Sequence, residues 1–331
     1  MRNSRITGVG RYLPEKIVTN DDLAKMMDTS DEWIRERSGI EERRFFELGK
    51  DTTANMGTRA ARMALENAGL QPNDVDFIVF ATLSPDYDFP GSGVLVQREL
   101  GIKEVGALDV RTQCTGFVYG ISVADQFIKT GMYDTVLVIG SEIHSSGLDL
   151  TTRGRGVSVL FGDGAGAAVL QASEEKGIMS SHLHSEGKHA EELAVLDVGS
   201  SRSVPRVKPE MIEEGTIFPV MNGNFVFKHA STRFPQAVME ALNHNGYKPE
   251  DLDLLIPHQA NLRISQMVQK QLKLRDDQVF NNIMKYGNTT AASIPIAMSE
   301  AWEQGKIKEN DLICLAAFGS GFTWGSVLMR W

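Results

Sequence analysis

The sequence predicts an α/β fold made of two similar halves, each with a mostly buried sheet between helices. Apolar runs of strand length alternate along the chain with segments whose apolar residues recur at helical spacing. Residues 64–76 are also echoed at a constant offset by residues 241–253, with Ala-Leu, Gly, Pro and two Asp in the same places. Each copy has the pattern of a helix end, a glycine stop, a Pro-acidic turn and a strand. A duplication explains this better than chance recurrence of such turns.

The predicted elements follow one another in a similar order in the two halves. In the first half we predict helices near residues 53–68, 91–100 and 115–131, and strands near 76–82, 105–110, 134–140 and 157–170. In the second half we predict helices near 229–245, 260–273 and 289–305, and strands near 252–257, 277–281, 311–317 and 325–330. The polar, aperiodic stretch 172–178 predicts the boundary. It divides the chain into an N-terminal half, 1–173, and a C-terminal half, 174–331.

A long excursion from the regular pattern is predicted between Gly187 and Asn224, where the periodicity weakens. Loops of this length in a compact domain are usually functional covers or disordered. The sequence favours neither.

The composition is that of an ordinary globular protein, with 42% hydrophobic and 23% charged residues in 331 positions. A formal net charge of −9 argues against nucleic acid or an anionic membrane as a general partner, although a local basic patch stays open. Two cysteines without a CxxC pattern suggest neither a disulfide scaffold nor a zinc module. With no signal-peptide core and no apolar run of membrane-spanning length, we expect a soluble protein of the reducing cytoplasm.

Cys114 is the first candidate catalytic residue. It lies between a predicted strand, 105–110, and a predicted helix, 115–131, and so on a strand-to-helix elbow. The N–H groups and positive end of the helix would favour thiolate over thiol and produce a nucleophile. The alternative is that Cys114 is a small, buried, inert hydrophobe. The residue alone does not decide between them.

Two further polar residues are expected to face the same crevice. His258 follows the strand predicted at 252–257, and the carboxyl ends of strands are where ligand crevices form in α/β sheets. Asn288 follows Gly287 in a turn that starts a helix, where capping is the default interpretation. Shifting Cys114 by the duplication offset leads to Ala291, so the turn of Asn288 is the counterpart of the cysteine elbow. Cysteine, histidine and asparagine would then converge.

Three glycine-rich stretches are candidates for phosphate or oxyanion sites. Gly8-Val9-Gly10 and the stretch 161–167 could be forced into a dinucleotide fingerprint, but the second is followed by strand-like residues that are too few for the required helix, which excludes it as a nucleotide loop. The stretch 318–325 follows a predicted strand and offers backbone N–H groups that would suit an oxyanion, or a tight hairpin, or both. The loosely clustered His182, His184 and His189 lack the cysteine or carboxylate pattern of a metal site, so no metal is expected.

Taken together, the motifs resemble the β-ketoacyl-acyl-carrier-protein synthase III family over nearly the whole chain. They are Gln-Cys-Thr-Gly-Phe at Cys114, Pro-His-Gln-Ala-Asn-Leu-Arg at His258, Tyr-Gly-Asn-Thr-Thr-Ala-Ala-Ser at Asn288 and the ending Ala-Phe-Gly-Ser-Gly-Phe-Thr-Trp-Gly. The resemblance implies a thiolase-like fold of five layers, αβαβα, and normally a homodimer. It also implies a cytoplasmic acyltransferase that initiates fatty acid synthesis from an acyl-coenzyme A primer and malonyl-acyl-carrier protein, with no permanently bound cofactor.

The resemblance further implies a role for each matched residue. Cys114 would take the acyl group, and the N–H groups of Cys114 and Ser320 would hold the oxyanion. His258 and Asn288 would donate hydrogen bonds to the malonyl thioester as carbon dioxide leaves, a step that needs preorganised donors rather than a strong base. The implied coenzyme A contacts are Trp33, Arg37, Ser38, Arg155, Gly223, Phe227 and Asn261. Phe89 would close the acyl pocket across the dimer, and the carrier protein would dock on Arg263, Lys270 and Lys273, on one helix.

The departures from the family pattern put the primer in doubt. Ser320 stands for a common glycine, Ser38 for a threonine and Thr115 for a smaller residue. The 187–224 excursion looks long, and Gly91-Ser92-Gly93 is unusual after Phe-Pro. A relative that uses a non-acetyl primer in a secondary pathway therefore stays an alternative.

Three other classes fit less well. A thiolase would need a second catalytic cysteine, where the duplicated elbow has Asn288. The order Cys, His, Asn also occurs in papain-like proteases, whose sequence around the cysteine is missing here. A non-catalytic acyl-binding subunit typically loses the nucleophile, and Cys114 is present.

Overall fold

The computed structural model describes residues 2–331 and has five layers in the order αβαβα. Within these residues the first sheet has the strand order β1-β7-β6-β4-β5, and the second β8-β13-β12-β11. The strands of the first sheet are β1 (Asn3–Tyr12), β4 (Phe77–Ala81), β5 (Gly106–Val110), β6 (Thr135–Glu142) and β7 (Gly164–Ser173). Those of the second are β8 (Ile178–Ser185), β11 (Leu254–Pro257), β12 (Leu312–Gly319) and β13 (Thr323–Arg330). Two small strand pairs are β2 (Lys16–Thr19) with β3 (Glu42–Phe45) and β9 (Leu193–Ala194) with β10 (Val220–Met221).

The helices form the outer and central layers of the fold. Those of the first half are α1 (Asn20–Ala24), α2 (Asp31–Ser38), α3 (Thr53–Asn67), α4 (Ser92–Leu100), α5 (Gly116–Lys129) and α6 (Arg155–Ser158). Those of the second are α7 (Pro209–Glu214), α8 (Gly223–His244), α9 (Leu262–Leu272), α10 (Ile283–Tyr286) and α11 (Ser293–Glu303). The first sheet is covered on its outer side by α3 and α4, and the second by α8 and α9, while α5 and α11 lie between the sheets.

The duplication predicted from the sequence is visible in the element positions. The elements β4, β6 and α5 each begin 177 residues before β11, β12 and α11. The central core draws apolar side chains from both sheets and from α5 and α11, with Ile121, Ile294 and Leu315 among them. The predicted α/β fold of two similar halves is therefore confirmed. The division of the chain between residues 173 and 174 stays a prediction.

Two predicted strands are wrong in part. The strand predicted at 157–170 begins only at Gly164, because the Asp163 carboxylate binds the N–H groups of Phe46, His144 and Ser145 and holds the preceding loop out of the ladder. The strand predicted at 277–281 is a 3-10 turn, Asp276–Gln278, followed by a single bridge between Leu255 and Val279. Beyond that bridge, the side-chain oxygen of Gln259 accepts hydrogen bonds from the backbone N–H groups of Asn282 and Ile283, so these N–H groups do not pair with a strand.

The excursion at 187–224 is folded and covers the crevice. It holds a 3-10 segment, Gly187–Glu192, the helix α7 and the antiparallel pair β9–β10, in which Leu193 lies opposite Met221. Both of these side chains line the central cavity. We call residues 187–224 the cover segment. No helix within residues 2–331 is long and apolar enough to cross a bilayer.

Candidate active site

Cys114 lies at the bottom of a cavity of about 370 Å³ that opens between the two halves. The chain leaves β5, makes a 3-10 turn at Gln113–Thr115 and enters α5, so the elbow predicted from the sequence is present. Gln113 has a φ of 45°, a left-handed conformation that a residue with a side chain adopts at a cost. This turn points the thiol away from the sheet and into the cavity, which Cys114 lines together with His258 and Asn288.

The expectation that the elbow favours a thiolate is wrong for the unliganded site. Burial raises the pKa of the Cys114 thiol to about 12, and the nearby Glu142 carboxylate adds to the rise. The N–H groups of Ser320 and of Cys114 itself act in the opposite direction but do not offset the burial. Desolvation disfavours the charged form more than the helix end favours it. Cys114 is therefore a thiol in this structure.

His258 is held as a neutral imidazole at the carboxyl end of β11. Burial lowers the pKa of His258 to about 3, with a further contribution from His144. Its Nδ1 lies 2.7 Å from the Ser293 hydroxyl, while Nε2 is buried without a hydrogen-bond partner in the described chain. The neighbouring Gln259 fixes this elbow by donating to the Pro257 carbonyl. A buried polar atom without a hydrogen-bond partner costs free energy, and a ligand that forms a hydrogen bond with Nε2 would remove this cost.

Asn288 is fixed through its backbone and its side-chain oxygen. Its N–H donates to the Leu160 carbonyl, its own carbonyl accepts from Gly162, and its Oδ1 accepts from the N–H of Thr290 at 2.9 Å. The amide NH₂ therefore remains available to the cavity that Asn288 lines. The side chain is positioned as a hydrogen-bond donor.

The stretch 318–325 forms the hairpin that the sequence offered as one of its two interpretations, whereas its role as a donor site stays a prediction. It joins β12 to β13, and a Cβ atom on Gly319 would lie 2.4 Å from the Cβ of Cys114 and 2.9 Å from its Sγ. Only glycine allows this approach. The next N–H, that of Ser320, lies close enough to the Cys114 sulfur to lower the pKa of the thiol. A carbonyl bonded to that sulfur would place its oxygen near two N–H donors.

Two arginine side chains stack on Trp33, which lines the cavity together with Arg37, whereas Arg155 does not line it. The guanidinium of Arg37 lies 4.5 Å from the ring centroid of Trp33, and that of Arg155 lies 4.9 Å from it. Arg155 therefore occupies a face of Trp33 on which a base could stack. The buried Ser38 uses its hydroxyl within α2, on the Ile34 carbonyl. The other predicted coenzyme A contacts, Gly223, Phe227 and Asn261, line the cavity.

The residues predicted to meet protein partners are exposed. Phe89 is 83% exposed and does not line the cavity within one chain. Arg263 lies at the cavity mouth, with its guanidinium 5.8 Å from the Phe227 ring centroid. Lys270 is in the last turn of α9, but Lys273 follows the helix with a φ of 56°, so its placement on the helix was wrong by one residue.

The three histidines that resembled a loose cluster do not lie together. His182 and His184 share the Glu240 carboxylate, whereas His189 lies beside Glu186 and His229. Lys188 and Arg233 already pair with Glu186.

Two residues of the site were missed. Ser293, the partner of His258, opens α11. Glu142 ends β6, and burial raises its pKa to about 7 although it accepts hydrogen bonds from Ser84, Leu83 and Thr82. A polar residue at the carboxyl end of a strand is the signal that could have revealed Glu142, as it did His258. The predicted strand stopped at residue 140.

Comparison with known proteins identifies the family. Residues 108–187 match the model of 3-oxoacyl-(acyl-carrier-protein, ACP) synthase III, and residues 225–331 match the C-terminal model of the same enzymes. A β-ketoacyl-acyl-carrier-protein synthase III of Caldanaerobacter subterraneus is 46% identical over 327 residues, which is 98% of this chain and 97% of that protein.

The chain belongs to the β-ketoacyl-acyl-carrier-protein synthase III family.

Solved structures of synthase III enzymes share the fold. That of 3-oxoacyl-acyl-carrier-protein synthase III from Aquifex aeolicus has a TM-score of 0.90 and 42% identity, covering 99% of this chain and 100% of the other. The priming β-ketosynthase of the R1128 polyketide pathway has a TM-score of 0.90 at 32% identity, covering 99% and 96%. The thiolase-like synthase III fold expected from the motifs is confirmed.

Proposed function

We propose that this synthase III condenses an acyl-coenzyme A primer with malonyl-acyl-carrier protein, releasing carbon dioxide and giving 3-oxoacyl-acyl-carrier protein, the first step of fatty acid synthesis. The observation that carries the proposal is the convergence of one thiol, Cys114, and two hydrogen-bond donors, His258 and Asn288, on a single cavity. The names of the relatives, which are synthase III enzymes, support the same reaction.

In the first step, Cys114 attacks the carbonyl carbon of the acyl thioester. A carbon–sulfur bond forms to Cys114, the bond to the coenzyme A sulfur breaks, and the thiol proton of Cys114 ends on the leaving sulfur. The negative charge that develops on the carbonyl oxygen is stabilised by the N–H groups of Cys114 and Ser320, both of which already lower the pKa of the thiol. Trp33, Arg37 and Arg155 bind the adenine end, with Arg155 moving off Trp33 to admit the base.

In the second step, malonyl-acyl-carrier protein binds to the acyl-enzyme. Loss of carbon dioxide leaves an enolate, whose oxygen accepts hydrogen bonds from Nε2–H of His258 and the amide of Asn288. We assign the proton to Nε2 because the Ser293 hydroxyl then donates to Nδ1. The enolate carbon attacks the acyl carbonyl, a carbon–carbon bond forms, and Cys114 leaves as a thiolate that takes up a proton.

The partner surfaces follow from charge and exposure. Arg263, Lys270 and Lys273 form a basic patch beside the cavity on a chain of net charge −9, which suits an acidic carrier protein. The edge strand β5 leaves one side unpaired and exposes Leu108, and Phe89 stands on the adjoining loop. These features favour a homodimer joined at β5, with Phe89 closing the partner's acyl pocket.

The proposal needs acyl-coenzyme A as a substrate and no resident cofactor. Both cysteines are unpaired and buried, which fits the reducing cytoplasm in which we place the enzyme.

Intact-protein mass spectrometry with a panel of acyl-coenzyme A species, from acetyl to decanoyl, tests the function. We expect one acyl group on the wild type and none on Cys114→Ala. Cys314→Ala is the matched control, since Cys314 is equally buried but lies in the interior of β12. The heaviest loading identifies the primer. Restriction to longer acyl groups favours the secondary-pathway alternative, and failure of the wild type to load any acyl group contradicts the proposed first step and favours a non-catalytic role.

A further inference from the structure

We propose that the side-chain hydroxyl of Ser320 couples the cover segment to the oxyanion site, through a set of three hydroxyls formed by Thr115, Ser320 and Thr323. We call this set the hydroxyl brace. The inference rests on the proposed function, because it assigns a positioning role within the same acylation step. It concerns side chains whose roles go beyond the backbone N–H of Ser320.

One end of the brace holds the cover segment. The Ser320 hydroxyl donates to the carbonyl of Leu193 at 2.5 Å, across 127 residues of sequence. Leu193 is in β9, where it pairs with Met221 of β10, and both side chains line the cavity. The cover is therefore fastened directly to the residue whose N–H faces the nucleophile.

The other end of the brace holds the cysteine elbow. The Thr323 hydroxyl lies 3.1 Å from the carbonyl oxygen of Ser320 and 2.9 Å from the hydroxyl of Thr115. Thr115 is fully buried beside Cys114, and its single hydroxyl proton can go to the Thr323 hydroxyl at 2.9 Å or to the Thr112 carbonyl at 2.8 Å. In the brace Thr115 donates to the Thr323 oxygen, and Thr323 donates its own proton to the Ser320 carbonyl. Both flanks of the Ser320 peptide are thus fixed, one by the elbow and one by the cover.

The brace has a consequence for the direction of the Ser320 N–H. This N–H helps catalysis only when it is aimed at the oxygen of the acyl group on Cys114, and small errors in aim weaken such donors steeply. With the contact to Leu193 broken, Ser320 would be held from one side alone; with the contact made, as in the structure, its N–H is held from both sides. The position of the cover segment therefore controls the aim of this donor.

A glycine at position 320 would keep the backbone N–H but would lack the hydroxyl that holds the Leu193 carbonyl. The coupling therefore depends on the side chain of Ser320 and not on its backbone.

Two measurements on the full-length protein test the coupling. Hydrogen–deuterium exchange reports the mobility of β9 and β10, and quenched-flow mass spectrometry reports acylation of Cys114 at saturating acyl-coenzyme A. In Ser320→Ala we expect exchange in the cover segment to rise about threefold to tenfold, as for loss of one hydrogen bond. We also expect the acylation rate to fall about tenfold while the affinity for acyl-coenzyme A changes little, because the aligned donor acts in the transition state.

Thr323 provides a matched pair of variants. Thr323→Val removes the hydroxyl at nearly constant volume and should slow acylation, whereas Thr323→Ser keeps the hydroxyl and should restore it. Ser326→Ala, in the same strand, removes a buried hydroxyl that donates to the Ala237 carbonyl outside the brace and should change neither measurement. This control separates the brace from a general loss of stability in β13.

The outcomes distinguish the brace from the proposed function. Looser exchange in Ser320→Ala with unchanged acylation overturns the coupling, as does slower acylation with unchanged exchange. Equal acylation rates in Thr323→Val and Thr323→Ser also overturn it. A wild type that never loads an acyl group refutes the proposed function instead, and unchanged exchange in Ser320→Ala then refutes the brace independently.

Discussion

Gln113 and Thr290 are equivalent residues 177 positions apart, and both have left-handed backbones, with φ values of 45° and 48°. Gln113 begins the 3-10 turn Gln113–Thr115, which leads into α5, and Thr290 begins the turn Thr290–Ala292, which leads into α11. Both helices lie in the central layer. The following residue is Cys114 in one elbow and Ala291 in the other. The strained geometry is therefore kept in both halves. In one half it presents the proposed nucleophile, Cys114, while in the other Asn288 lies just before the turn.

The contact between Gly319 and Cys114 predicts a severe effect of a single methyl group. In Gly319→Ala, the added Cβ would collide with the Cβ and Sγ of Cys114 and displace the nucleophile from the Ser320 N–H. We expect acylation to fall at least about a hundredfold, with a loss of stability of about 1–3 kcal/mol. Rapid-quench mass spectrometry and thermal unfolding measure the two effects. Gly187→Ala, where a Cβ meets no atom within 4 Å, is the control; acylation of Gly319→Ala at the control's rate would contradict the prediction.

The hydrogen bond between Ser293 and His258 predicts a split between the two steps. Ser293→Ala leaves Nδ1 without its partner, so the imidazole no longer keeps its proton on Nε2. We expect condensation to slow about tenfold to a hundredfold while loading of Cys114 is nearly unchanged. Single-turnover assays with pre-acylated enzyme and malonyl-acyl-carrier protein separate the steps. Ser326→Ala removes a comparable buried hydroxyl outside the site. An equal slowing of both steps by Ser293→Ala would refute the tautomer assignment.

Burial of Glu142 predicts a pH dependence of stability. The pKa of Glu142 is 4.5 in an ordinary setting and about 7 in the fold, so between these values the folded chain binds the proton more tightly than the unfolded chain. Its stabilising contribution is complete below about pH 4.5 and is lost as the pH rises through about 7. The expected size is about 3 kcal/mol.

Glu142→Gln isolates this contribution, because the amide cannot ionise. We expect the free energy of unfolding of the variant, relative to the wild type, to rise between pH 4.5 and pH 8. Taking the difference cancels the other buried groups, Asp163, His144 and His258. Removal of the carboxylate should also lower the pKa of Cys114 and speed its alkylation above pH 7. A difference that does not depend on pH would show that Glu142 titrates normally.

The stacking of Arg155 on Trp33 predicts selective loss of coenzyme A binding. Arg155→Ala removes one wall of the proposed adenine site and should raise the KM for acyl-coenzyme A about tenfold. The KM for the same acyl group on N-acetylcysteamine, which lacks the nucleotide, should not change. Arg35→Ala is the control, since Arg35 is on the same helix as Trp33 but pairs with Asp31 and Glu41. An equal effect on both substrates would contradict an adenine site.

The sequence predicted the two-half α/β fold because duplicated turns and strand ends are local patterns. The same rule about strand ends led to His258, and the duplication offset led to the turn of Asn288. The prediction that Cys114 is a thiolate was wrong, because the sequence shows that a helix begins next to the cysteine but does not show how deeply the thiol is buried. Ser293 and Glu142 escaped for a similar reason: one is an ordinary first residue of a helix, and the other becomes unusual only when the second half closes over it. Their roles, like those of the predicted site residues, stay predictions.

The central layer has a consequence for how the protein is made. Ile121 and Ile128 of α5 belong to the first half, yet they share a core with Ile313 and Val327 of the second sheet. As the chain leaves the ribosome, this face of α5 stays incompletely covered until the strands of the second sheet have been synthesised. The N-terminal half therefore exposes apolar surface during that interval. Chaperone capture of nascent chains should accordingly concentrate in that interval.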